Sequence, residues 1–85
     1  MEKVLLTCRS MTQAQRAQRL LERRGIVSTM IKTPVYLTKS GCGYALLLRR
    51  HSREAVLLLR EAALLDGKVY EMREERWLEV NDDLS

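Results

Sequence analysis

An α+β sandwich is the fold class this 85-residue sequence predicts. Its elements run strand-helix-strand-strand-helix-strand, with two helices on one face of a four-stranded antiparallel sheet. Three observations predict it. Two helical stretches open on serines, Ser10 and Ser52, and close at glycines, Gly25 and Gly67, the residues favoured at N-caps and at left-handed C-caps. Short apolar or β-branched runs at residues 3–8, 26–33, 44–49 and 68–73 alternate with those helices. A segment holding Pro34, Gly41 and Gly43 separates the second and third runs, so they join through a long hairpin loop rather than a crossover helix. Together these give the split βαβ, ferredoxin-like order, and the length leaves room for one core.

Each element has its own warrant. Residues 3–8, Lys-Val-Leu-Leu-Thr-Cys, form an apolar run suited to a strand. Ser10 with Gln13 three positions on has the spacing of a capping box, opening a helix over 11–24. Ala14, Ala17, Leu20 and Leu21 share one face of it, while Arg16, Arg19 and Arg23 line another. Arg23 and Arg24 complement the dipole at its end. Residues 26–33 are rich in β-branched side chains and predict the second strand. Pro34 cannot donate a ladder hydrogen bond, so that strand stops before it.

Tyr44 to Arg49 supplies the third strand, and a second helix runs over 52–66. Its stripe of Ala55, Val56, Leu58, Leu59, Ala62, Ala63 and Leu65 is wide. Leu57 and Leu64, seven apart, share the flank of Arg53 and Arg60, where the C-terminal tail or another subunit would cover them. Residues 68–73 make the fourth strand. The domain therefore spans 1–73. Residues 74–85 are a C-terminal extension, with a possible short fifth strand at 76–80 and a frayed end beyond. Leu5 and Leu6, then Leu46, Leu47 and Leu48, place apolar groups on both sheet faces. The face away from the helices thus needs a cover, from a homodimer or from Trp77 and Leu78.

Composition narrows the class. A chain 46% hydrophobic and 31% charged is globular rather than disordered. It has no apolar run near the ~20 residues of a bilayer span and no signal-peptide layout, so a cytoplasmic, non-membrane protein is expected. Two cysteines are then expected as thiols rather than a structural staple. With His51 the one histidine and no Cys-x-x-Cys pair, neither a closed zinc site nor any other resident metal or cofactor is expected. Residues 1–53 carry eleven Lys/Arg against Glu2 and Glu22, whereas 54–85 carry four against nine Asp/Glu. Such asymmetry suits an anionic partner or contact between copies.

The candidate site is the loop Thr33-Pro34-Val35-Tyr36-Leu37-Thr38-Lys39-Ser40-Gly41-Cys42-Gly43. Glycine on both sides frees the backbone around Cys42 for a close approach by other groups. In the expected topology the first strand ends where the third begins, which brings Cys8, Arg9, Ser10 and the first helix's N-terminus to this loop. A thiol near helix amides and cations such as Arg9 and Lys39 has its pKa lowered, and the thiolate is the nucleophile. Cys8 shares its strand face with Val4 and Leu6 and is expected in the core, leaving Cys42 as the reactive thiol. Should both reach the shared edge with Cα atoms within ~7 Å, a Cys8–Cys42 disulfide could form. The bland alternative is a hairpin connection whose cysteine is a small hydrophobe.

The pattern Thr33-Pro34-x-x-Leu37-Thr38-x-x-Gly41-Cys42-Gly43-Tyr44 resembles the signature loop of a family of small bacterial selenium/sulfur carrier-like domains. The opening strand, Ser10, the Ala-rich helix and Gly25-Ile26 are similar to that family as well, so the likeness covers roughly residues 3–73. Val35 stands where many of its members have arginine. The resemblance implies that Cys42 carries sulfur or selenium as a persulfide or selenylsulfide, with Gly41, Gly43, Arg9, Ser10, Lys39 and Cys8 in support. It also implies partner enzymes that donate and accept the atom.

The same residues are open to readings from other classes. A non-catalytic dimerisation or regulatory domain would use Leu57, Leu64 and Trp77. Cys8 with Cys42 could act as a redox switch or bind Cu(I). Nucleic-acid binding fits the basic half, but such sheets stack bases on exposed rings and this chain has no Phe. No acid/base pair or nucleophile triad is visible, so a carrier or accessory protein fits better than an enzyme.

Overall fold

The computed structural model describes residues 3–37, 43–65 and 68–80. Strand β1 (Val4–Cys8) leads to helix α1 (Met11–Arg23) and strand β2 (Ser28–Lys32), and a 3-10 turn follows at Val35–Leu37. Strand β3 (Tyr44–Leu48), helix α2 (Ser52–Glu61) and strands β4 (Val69–Arg73) and β5 (Arg76–Val80) complete the order. The sheet runs β2-β3-β1-β4-β5 with every neighbouring pair antiparallel. It is the ferredoxin-like arrangement with the short fifth strand added outside β4.

Period-two alternation explains which residues bury where. Val4, Leu6 and Cys8 of β1 face the helices, as do Leu46 and Leu48 of β3. They pack with Ala14, Ala17 and Leu21 of α1 and Ala55, Val56 and Leu59 of α2. The small alanines let both helices approach the sheet closely. The opposite register holds Leu5, Ala45 and Tyr70, with Ile31, Leu37, Leu47 and Trp77 partly buried against them. The expected need for a cover on this face is met in part within the chain. The segment after β2 crosses the face, seats Leu37 on it and lets the Tyr36 hydroxyl accept a 3.1 Å hydrogen bond from the Trp77 backbone N–H on β5.

Helix α1 follows its sequence signals at both ends. Ser10 Oγ accepts from Gln13 N–H at 3.2 Å, but the reciprocal half of the capping box is missing, because Gln13 Oε1 is buried with no partner. At the far end Ile26 N–H donates to Leu21 C=O and Gly25 N–H to Glu22 C=O, a Schellman motif with Gly25 at φ +76°.

Helix α2 departs from expectation at both ends. Ser52 is its first residue rather than its cap. His51 holds the N-cap position in the left-handed region at φ +57°, without a side-chain capping bond. The helix ends at Glu61, not near Asp66. Leu64 N–H donates to Leu59 C=O and Ala63 N–H to Arg60 C=O, so the Schellman motif closes early, with Ala63 at φ +58° where glycine would be favoured. Gly67, the expected stop, lies outside the described residues. Early closure turns Leu64 and Leu65 onto the core, so Leu57 and Leu64 do not form a shared flank.

Glu74 and Glu75 join β4 to β5 at φ +49° and +66°. Two consecutive left-handed residues between directly paired strand ends are the geometry of a type I′ hairpin, for which Asn-Gly is the favoured pair. Replacing Glu74-Glu75 by Asn-Gly is expected to stabilise the fold by about 1 kcal/mol. Urea unfolding checks it, through a higher midpoint at unchanged slope.

Candidate functional site

Cys42, Gly41 and Lys39 lie outside the described residues. Gly43, Cys8, Arg9 and Ser10 are described, and the sheet register brings them to one corner. Cys8 at the end of β1 pairs with Tyr44 at the start of β3, and Tyr44 pairs on its other side with Lys32 at the end of β2. Beyond that row the Gly43 carbonyl accepts from the Thr33 backbone N–H at 3.2 Å. Gly43 adopts φ +139°, which L side chains rarely reach, and a Cβ there would stand 3.4 Å from Thr33 Oγ1 and 3.7 Å from the Cys8 carbonyl. Three backbone segments thus converge at the residue that follows Cys42, and only glycine suits the site without strain.

Arg9 and Ser10 come next after β1 and are exposed. Ser10 caps α1, so the positive end of that helix lies at the same corner. This corner therefore carries the amide dipoles of the α1 N-terminus and the exposed Arg9. Cys8 is 6% exposed among Val4 and Leu6, with its Sγ 3.9 Å from the Leu6 carbonyl. Cys8 is therefore a core position.

Thr33 shapes this corner, while Tyr36 and Leu37 anchor the chain elsewhere on the open face, Tyr36 at Trp77 level with the start of β1, in a way periodicity could not foretell. Leu37 and the Tyr36 hydroxyl fasten the start of the loop to the open face, and Thr33 holds its return at Gly43. Their nearest signal was the departure from strand pattern after Pro34. His51 sits at the far end of β3, with its Nδ1 3.4 Å from Glu54 Oε1. Among the described residues no three His, Cys, Asp or Glu side chains are grouped to hold a metal ion. Among them too, no helix is long and apolar enough to cross a membrane.

Comparison with known proteins gives one match. The family model described as "Putative Se/S carrier protein-like" matches residues 3–71. That span runs from the start of β1 into β4 and includes the whole cysteine-glycine loop. No curated protein and no solved structure matches.

Proposed function

The chain belongs to the Se/S carrier protein-like family, and from that premise we propose that Cys42 is the carrier atom's point of attachment. The match through residues 3–71, cysteine-glycine loop included, is the observation that carries the reading. The Cys42 thiolate attacks the terminal sulfur of a donor's persulfide. A new S–S bond forms to Cys42, the donor's own S–S bond breaks, and the donor leaves as a thiolate. Atoms and electrons balance without an external oxidant: Cys42 gains one sulfur and the donor loses it. The same exchange on a donor selenylsulfide leaves selenium on Cys42. Transfer onward repeats the attack, with an acceptor thiolate striking the terminal atom. The partners this chemistry implies are a donor and an acceptor enzyme. Support from the fold is the Gly43 corner, where Arg9 and the α1 N-terminus favour an anionic sulfur.

Intact-mass spectrometry tests the proposal on protein incubated with cysteine persulfide and kept free of reductant. The expected result is the addition of one sulfur to wild type and to Cys8→Ser, reversed by dithiothreitol and absent from Cys42→Ser. Equal loading of Cys42→Ser and wild type, or loading of neither, overturns it.

A further inference from the structure

We propose that an open pocket at the other end of the sheet binds a small organic phosphate. The pocket is about 400 Å³ and is lined by Gly25, Val27, Thr29, Leu47, Arg49, Arg50 and His51. That volume lies within the range of small-molecule sites. The site is not part of the cysteine corner. Gly43 precedes the five-residue β3 and Arg49 follows it, and the six residue steps between them at ~3.3 Å each set them roughly 20 Å apart.

The lining divides by chemistry. Leu47 and Thr29 pair across β3 and β2 on the open sheet face, and Leu47 is shared with the second apolar cluster. With Val27, which is 81% exposed, they form an apolar floor that has one hydroxyl. Arg49, Arg50 and His51 form a cationic rim where the chain turns from β3 into α2. The His51 ring engages Glu54. Neither Arg49 nor Arg50 has a carboxylate partner among the described residues. Two adjacent exposed arginines that pair with no carboxylate among the described residues leave guanidinium donors at the rim of this apolar floor. Their planar forks match phosphate oxygens two at a time, which no lysine pair does as well.

Arg23 and Arg24, just before Gly25, add to the positive potential. A free inorganic anion would leave the floor of Leu47 and Val27 unused, so the ligand has an apolar body behind its phosphate. A single-stranded nucleic acid is the less fitting occupant, because the lining offers no Phe, Tyr or Trp for base stacking.

Amide NMR titration of the full chain with phenyl phosphate tests the assignment, beside inorganic phosphate and a short oligothymidylate. Phenyl phosphate should give saturable shifts at Val27, Thr29, Leu47 and Arg49, and inorganic phosphate weaker ones at the same amides. Arg49→Ala/Arg50→Ala should weaken phenyl phosphate about tenfold or more, with the rest of the spectrum confirming the fold. Arg16→Ala/Arg19→Ala, on the exposed face of α1, should leave the affinity unchanged. Three outcomes overturn the proposal: shifts that never saturate, equal loss in the α1 variant, or tighter binding of the oligonucleotide with shifts spread beyond the pocket.

Discussion

Iodoacetamide should modify Cys42 rapidly in the folded protein while Cys8 stays unmodified, a difference of roughly a hundredfold or more in rate. Cys8 is buried at the end of β1 inside the main core. Alkylation there requires the end of this central strand to open, and an opening that costs about 3 kcal/mol slows the reaction by about that factor. Burial among Val4 and Leu6 also disfavours the thiolate that reacts. Gly43, which follows Cys42 in sequence, lies at a corner that holds the α1 N-terminus and Arg9. The rate at Cys42 should therefore rise with pH around a midpoint below the ~8.5 of an ordinary cysteine. Cys8→Ser should keep the fast reaction and Cys42→Ser should abolish it. Should Cys8 react while Cys42 is inert, or both titrate as ordinary thiols, the carrier proposal loses its chemical basis.

Most of the fold could be read from one-dimensional signals because those signals act locally. Ser10 and Gly25 bracket α1 because each satisfies backbone groups within a turn of itself. The strand order followed from the alternation of elements and the long loop after Pro34. What stayed hidden depends on contacts distant in sequence. Gly67 looked like the stop of α2, yet the helix closes at Ala63, and Leu64 and Leu65 beyond it pack against the core. His51 was legible as a helix-start residue, but its place on the rim of a pocket that also draws on Gly25 and Val27 was not. Cys8 was legible as a core position from the spacing of Val4, Leu6 and Cys8. The placement of Tyr36 across the sheet onto Trp77 was not, since nothing local to either residue encodes the other.

Arg73→Met should destabilise the fold by about 2 kcal/mol, whereas Glu71→Leu/Arg73→Met should return to within about 1 kcal/mol of wild type. In sequence Glu71 looks like any polar residue of a half-exposed strand. In the sheet it lies on the helix-facing side between Val4 of β1 and Leu78 of β5, and is 1% exposed. The fifth strand causes this, by making β4 an interior strand. A carboxylate in that position needs a partner, and Arg73, two residues on along the same face, supplies its Nε–H.

The two members of the pair are unequal. Glu71's side chain is 2% exposed and Arg73's is 54%, so water can replace Glu71 as a partner for the arginine but cannot readily replace the arginine for Glu71. Removing Arg73 therefore leaves a desolvated charge, while Glu71→Leu alone should cost about 1 kcal/mol or less, since leucine adds to the surrounding apolar core. Methionine keeps most of the arginine stem's packing, and the cycle separates the Glu71 pairing from Arg73's other contacts. Urea unfolding of wild type, both single variants and the double variant measures the coupling. Additive effects, or an Arg73→Met loss below about 0.5 kcal/mol, would show that the Glu71 carboxylate draws its stabilisation from somewhere other than this pair.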